Sequence, residues 1–221
     1  MRQLLVLRPE PGASETVKRA KTMGLKARAA PLFTVEQVAW EAPDAAGFDG
    51  LLLTSANAVR HAGEQLHTLR GLPAYAVGGA TAEAAREAGF DIKASGDAGV
   101  DRLLGSIEPD LKLLHLCGED RRAAKDAKQA ITALPVYRST AIADPGLGDL
   151  CDAVALIHSP RAGRRFAELV QDRSKVTIVA ISAAAADEVG DGWAMTEIAN
   201  RPVDDALLEL AEQLCNSSKP K

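Results

Sequence analysis

The sequence predicts an α/β protein built on doubly wound parallel sheets, and three observations carry that expectation. Short apolar runs of strand length alternate with longer amphipathic segments along the whole chain. Repetition of strand then helix is the pattern of parallel βα units. The runs are apolar throughout rather than alternating, as in Leu51-Leu52-Leu53 and Val154-Ala155-Leu156-Ile157, which suits a sheet covered on both faces. The 221 residues are 47% hydrophobic and 25% charged, a balance that builds a packed core rather than a disordered chain.

Taken in order, Leu4–Leu7 reads as a strand. A turn at Pro11-Gly12-Ala13-Ser14 follows, with Ser14 as N-cap of a helix carrying Val17 and Ala20 and ending at Met23-Gly24. Lys26–Phe33 is a second strand. Gly50–Thr54 is a strand, Ala56–Leu66 a helix, Ala74–Val77 a strand, and Thr81–Ala88 a helix stopped by Gly89. Leu113–Leu116 and Leu134–Tyr137 are further strands. In the last third, Val154–Ile157, Val176–Ile181 and Ala194–Ile198 are strands, with helices Arg161–Val170, Ala183–Val189 and Asp204–Leu214.

A weak internal repeat suggests two domains. The segment Phe48-Asp49-Gly50-Leu51-Leu52-Leu53-Thr54-Ser55 is echoed by Cys151-Asp152-Ala153-Val154-Ala155-Leu156-Ile157-His158-Ser159. Each is an Asp-led apolar strand with Ser at its carboxyl end, followed by a helix. The first strand–helix–strand has no copy before it, so it is expected to pack with the last third. Residues 1–34 with 144–221 then form one discontinuous domain, and residues 35–143 an inserted one. Thr34–Trp40 and Tyr137–Ala143 are the two crossings, expected to pair as a two-stranded linker.

The formal net charge of -4 gives no reason to expect a nucleic-acid or acidic-membrane partner. Cys117, Cys151 and Cys215 are odd in number, scattered, and make no CxxC. A disulfide framework or zinc site is not expected, and a reducing compartment is. The apolar run before Arg8 is too short for a signal peptide or a membrane span. The expectation is a cytoplasmic protein. The polar tail from Asn216 to Lys221 is expected to fray.

Ligands of open parallel sheets sit outside the carboxyl ends of the strands, and the candidate site residues fall there. Ser55 and Asn57 open a helix whose first N–H groups suit a carboxylate or phosphate; Ser55 is equally an ordinary N-cap. Gly78 allows close backbone approach, and Thr81 either caps a helix or donates to a carboxylate. Ser159 repeats the Ser55 theme, with Pro160 at the first helical position. Arg161 and Arg164 lie at that helix start, against the macrodipole preference, as an anion site would want and as solvated arginines also do. Gly118 turns the chain after another strand, and Glu119 with Asp120 suits a helix start. His115 and His158, each at a strand end, read as packed or hydrogen-bonded side chains. Tyr137, one of two tyrosines, lies at the second crossing, either as an ordinary strand aromatic or as a proton donor. No GxGxxG, P-loop, HExxH or GxSxG is present.

These residues together resemble the uroporphyrinogen-III synthase family. The resemblance rests on Leu51-Leu52-Leu53-Thr54-Ser55-Ala56-Asn57-Ala58-Val59, on Ala76-Val77-Gly78-Gly79-Ala80-Thr81-Ala82, on Pro135-Val136-Tyr137 and on the strand ending in Ser159-Pro160, in order and at matching spacing. It implies two flavodoxin-like domains joined by a two-stranded β-ladder. It implies cyclisation of hydroxymethylbilane, a linear tetrapyrrole with eight carboxylates, to uroporphyrinogen III, with loss of water and inversion of ring D through a spiro intermediate. No cofactor or metal is implied, and the chain is expected to act as a monomer. By resemblance, Arg8, Ser55, Thr81, Ser159 and Ser182 would hold carboxylates, and Tyr137 would be the acid for hydroxyl loss. Asn57, Gly78, Gly118 and Arg161 join them as candidate contacts.

This sequence departs from the family in two places. Ala183-Ala184-Ala185-Ala186 follows Ser182 where relatives carry a hydroxyl residue, and the stretch from Gly118 to Pro135 is short and charge-rich. Two alternatives stand beside this reading: a non-catalytic tetrapyrrole- or anion-binding sensor module on the same fold, and an unrelated flavodoxin-like enzyme using a nucleotide.

Overall fold

The computed structural model describes residues 2–96, 99–121 and 123–216. Arg122 and the tail from Ser217 to Lys221 lie outside the described residues. The chain divides into two compact units, residues 1–34 with 140–221 and residues 35–139.

The first unit is built on a five-stranded sheet. Its strands are β1 (Gln3–Val6), β2 (Lys26–Ala29), β9 (Val154–Ile157), β10 (Thr177–Ala180) and β11 (Met195–Ile198), in the order β11-β10-β9-β1-β2. All four pairings are parallel. Side chains alternate between the two faces, so each strand feeds two cores. Leu5, Ala155, Ile157 and Ile178 pack on one face against Phe166 of α5 (Pro160–Leu169) and Val189 of α6 (Ala183–Val189). Leu4, Val6, Leu156 and Val179 pack on the other against Ala20 of α1 (Gly12–Thr22) and Leu207, Leu208 and Ala211 of α7 (Asp204–Asn216). Continuous apolar runs in the sequence thus follow from burial on both sides. At the sheet edge, β11 is exposed along its length.

The second unit holds a six-stranded sheet in the order β3-β8-β7-β4-β5-β6. Its strands are β3 (Phe33–Gln37), β4 (Gly50–Leu53), β5 (Ala74–Val77), β6 (Ile92–Gly96), β7 (Lys112–Gly118) and β8 (Ala130–Ala141). One face packs Leu51, Leu53, Leu114 and Leu116 under α2 (Ala56–His61) and α3 (Gly79–Glu87). The other face is thinner: Leu52, Tyr75 and Leu113 meet Leu103 and Leu104 of α4 (Val100–Leu104). The crossing segments pair as β3 beside β8, with Thr34 Oγ1 donating to Thr140 O and Val38 N to Val136 O.

Several expectations are corrected. Ser14 is not the N-cap of α1; the helix starts at Gly12, and Glu10 accepts from the Ser14 amide and hydroxyl at 3.0 Å each. The predicted strand Lys26–Phe33 is two strands, β2 and β3, broken around Pro31, which has no amide to donate. The predicted helix Ala56–Leu66 ends at His61, because Gly63 takes φ +70 and a 3-10 turn follows at Glu64–Leu69. No helix starts at Glu119-Asp120. Between Gly118 and Ala130 the described residues form bends and irregular backbone, since this charge-rich run has no continuous apolar face to bury. Leu134–Tyr137 is the middle of a longer strand, β8.

Candidate functional site

In both units the strand-end residues open helices in one recurring way. Ser55, Ser159 and Ser182 all have extended backbone, with φ -155, -162 and -159. Each turns its Oγ onto the helix it precedes. Ser55 accepts from the Asn57 amide at 3.2 Å, Ser159 from Ala162 at 3.2 Å and Ser182 from Ala185 at 3.3 Å. The internal repeat in the sequence is therefore a repeat of N-caps. One expectation fails here: the Asn57 N–H is not an orphan donor, because the Ser55 hydroxyl accepts it. A capping hydroxyl uses a lone pair and keeps its own O–H as a donor, so all three serines combine a cap with a donor at a strand end.

Gly78 caps α3 with φ +88, a conformation closed to most side chains. Thr81 lies in the first turn of that helix and is buried, 5% exposed.

Tyr137 lies inside β8, opposite Gly118 at the end of β7. The ladder between β7 and β8 shifts register there: Cys117 pairs with Pro135, but Gly118 pairs with Tyr137. The shift lies beside a proline, which cannot donate to a ladder. It sets the phenol over Gly118, where an added Cβ would stand 2.8 Å from Tyr137 Cζ. Gly118 is therefore a platform for the tyrosine rather than a turn residue. His61 flanks the ring at 6.4 Å between centroids, tilted by 38°. Burial, and then the Arg60 charge, hold His61 below its ordinary pKa, and its Nε2 is buried with no partner among the described residues. The Tyr137 side chain is half-buried, and among the described residues its hydroxyl makes no hydrogen bond. The other tyrosine, Tyr75, is 4% exposed, in the core.

His115, 5% exposed, shares a hydrogen bond of 3.0 Å with Thr54 Oγ1 and borders a cavity of about 340 Å³ with Arg121 and Gln129. Burial, reinforced by Arg121, lowers its pKa to about 4. Unfolded, it would titrate near ~6.5. Between those values the unfolded chain binds more protons, so stability is lost as pH falls from ~6.5 to ~4, by about 3 kcal/mol in all. Urea midpoints measured across that range should fall more steeply for the wild type than for His115→Gln. Parallel pH profiles would refute this coupling.

In the first unit, Arg161 lies with its guanidinium 4.5 Å from the Phe33 ring centroid. Arg164 does not offer a free cation: it makes a two-point pair with Glu188 at 2.9 and 2.7 Å. Arg8 belongs to a cluster around Asp204 that the sequence did not suggest. Asp204 Oδ1 lies 2.7 Å from His158 Nε2 and 3.7 Å from Arg8 Nη1; Oδ2 accepts from Thr16 Oγ1 at 2.8 Å and lies 3.2 Å from Arg19 Nη1. Burial would raise the Asp204 pKa, but the hydrogen bonds from His158 and Thr16 and the charge of Arg8 outweigh it and hold the carboxyl low. Burial keeps His158 below its ordinary value against the opposing pull of Asp204. The only sequence signal for this cluster was an acid at a helix start, which capping explains equally well.

The three cysteines are free, with Cys117 and Cys215 buried and Cys151 exposed. Among the described residues no helix is long and apolar enough to cross a membrane.

A family model described as uroporphyrinogen-III synthase HemD matches residues 14–209 of the chain. Among solved structures, the uroporphyrinogen-III synthetase of Helicobacter pylori superposes with a TM-score of 0.68 at 20% identity, covering 97% of this chain and 100% of that one. A mutant uroporphyrinogen III synthase of Thermus thermophilus superposes with a TM-score of 0.58 at 19% identity, over 98% of this chain and 100% of that one. At those identities the likeness shows the two-domain fold. No curated protein sequence matches the chain.

Proposed function

Because the chain belongs to the uroporphyrinogen-III synthase family, lyases of haem biosynthesis that act on a tetrapyrrole, we propose in what manner its own residues close the macrocycle. The single observation that carries the reaction is the family match across residues 14–209. The substrate is hydroxymethylbilane. Its carbon–oxygen bond breaks as Tyr137 donates a proton to the departing hydroxyl, which leaves as water. The azafulvene cation so formed is attacked by the far end of the chain, ring D is inverted through the spiro intermediate, and loss of a proton gives uroporphyrinogen III. The enzyme contributes mainly the folding of a flexible chain into the reactive arrangement.

What supports Tyr137 as the acid is its unpaired hydroxyl within β8, over the glycine at the end of β7 that leaves it room. The donors proposed for the carboxylates are Arg8, Ser159, Arg161 and Ser182 in one unit. In the other they are Ser55, Asn57, Thr81 and the backbone around Gly78 and Gly118. The capping geometry supports the serines, since each keeps a donor. We further propose that the protein works as a cytoplasmic monomer. No observation favours a non-catalytic binding role.

The test is incubation with freshly made hydroxymethylbilane, oxidation of the products and separation of the isomers. Uroporphyrinogen III in excess over the spontaneous symmetrical isomer is expected; the symmetrical isomer alone would refute the reading. Binding should also weaken with salt despite the net charge of -4, because a polyanion needs local positive potential. Between ~10 mM and ~150 mM ionic strength the screening length falls from about 30 to about 8 Å. KM should rise across that range, and a flat KM would count against Arg8 and Arg161 as carboxylate partners.

A further inference from the structure

Arg8 follows β1, and its side chain is 32% exposed. One edge of the guanidinium is tethered: Nη1 lies 3.5 Å from Thr16 Oγ1 and 3.7 Å from Asp204 Oδ1. Among the described residues Nε and Nη2 donate to nothing. The head lies against Gly12, where an added Cβ would stand 2.6 Å from Nε and 2.8 Å from Cζ. Gly12 thus leaves the space the guanidinium occupies.

Asp204 is itself held from three directions, by Thr16, His158 and Arg19. Thr16 is fully buried, and the His158 ring has Asp204 as its hydrogen-bond partner, its Nδ1 being buried and unpaired among the described residues. Arg19 also reaches Asp205. Asp204 is therefore shared between two arginines, and at 3.7 Å it tethers Arg8 without taking up its remaining donors. A planar guanidinium with open donors matches a carboxylate, and holding it in place beforehand reduces the side-chain freedom lost on binding.

We infer that Asp204 is a positioning residue for the reaction: with Thr16 and His158 it fixes the Arg8 guanidinium so that its open donors take one substrate carboxylate. This rests on the proposed role of Arg8. Steady-state kinetics on hydroxymethylbilane with Asp204→Asn, Arg8→Ala and the double variant test it, with a melting curve for each. Asparagine keeps the shape: its oxygen accepts from His158, its NH2 donates to the Thr16 hydroxyl, and the charge that tethers Arg8 is removed. Asp204→Asn should raise KM roughly ten-fold, more than it changes kcat, the usual scale for a lost charged contact. Arg8→Ala should cost at least as much, and the double variant no more than Arg8→Ala alone, because coupled residues are non-additive. A KM penalty from Asp204→Asn that persists undiminished without Arg8 would overturn the inference, as would a lowered melting temperature with unchanged KM. An Arg8→Ala enzyme with wild-type KM would overturn it too. If Asp204→Asn does not fold, Thr16→Val replaces it in the cycle, with the same outcomes. A wild type that makes no uroporphyrinogen III would instead refute the reaction itself, so the two failures are distinguishable.

Discussion

Tyr137→Phe is expected to lower turnover by up to about 10²-fold while leaving the fold intact. The substitution removes one hydroxyl and keeps the ring. The contacts that seat the ring, Gly118 beneath it and His61 beside it, do not use that hydroxyl. Packing should therefore survive, and the loss should fall on the proton that leaves with the substrate's hydroxyl. Water can stand in for the phenol, which bounds the effect. Single-turnover rates and isomer ratios at equal melting temperature give the measurement. Unchanged turnover would remove Tyr137 from the acid role, whereas continued formation of the type III isomer would leave the reaction itself standing.

Phe166→Ala is expected to cost about 3–5 kcal/mol of stability in the first unit. Phe166 is fully buried on α5 and stacks on Trp193 with 5.5 Å between centroids and 11° between planes. Its neighbours in the core include Leu5, Ile157, Ile178 and Val189, which come from three strands and a second helix. Truncation leaves a cavity that none of these elements can fill without abandoning its own packing. Against a typical total of about 5–15 kcal/mol, that is a large share. Urea unfolding followed by tryptophan fluorescence would report it through Trp193. A midpoint shift worth less than ~1 kcal/mol would mean that the core can collapse around the gap.

The α/β class and the strands at Leu51, Leu113, Val154 and Val176 were legible in the sequence, because burial on both faces demands long apolar runs and little else yields them. The serine caps at Ser55 and Ser159 were legible as well, since capping is a local property of one residue and the next helical turn; Ser182 was read only as a carboxylate donor and proves to be a cap too. β6 and α4 escaped notice. Ile92–Gly96 is an edge strand with only half of its residues shielded, so its pattern is weak. Val100–Leu104 is a single turn of helix, too short to show a period. The start of α1 at Gly12 also escaped, because Glu10, lying before the helix, accepts the Ser14 amide in place of a conventional cap.

Candidate site residues divide in the same way. Tyr137 could be named from its place in the chain, but its seat on Gly118 depends on a register shift between β7 and β8. The sequence does not encode that shift at any one residue. Arg8 could likewise be named, but not what holds it. Positions 8, 16, 158 and 204 meet because β1 lies beside β9 and α1 and α7 cover the same face of the sheet. Local propensity and hydrophobic period act over a few residues, so by itself the sequence determined the element types and their caps. Partners of a buried charge are chosen by strand order and helix packing, which are long-range. The carboxylate of Asp204 therefore acquired its meaning only when tertiary structure brought two arginines, a threonine and a histidine within hydrogen-bonding or ion-pairing distance of it.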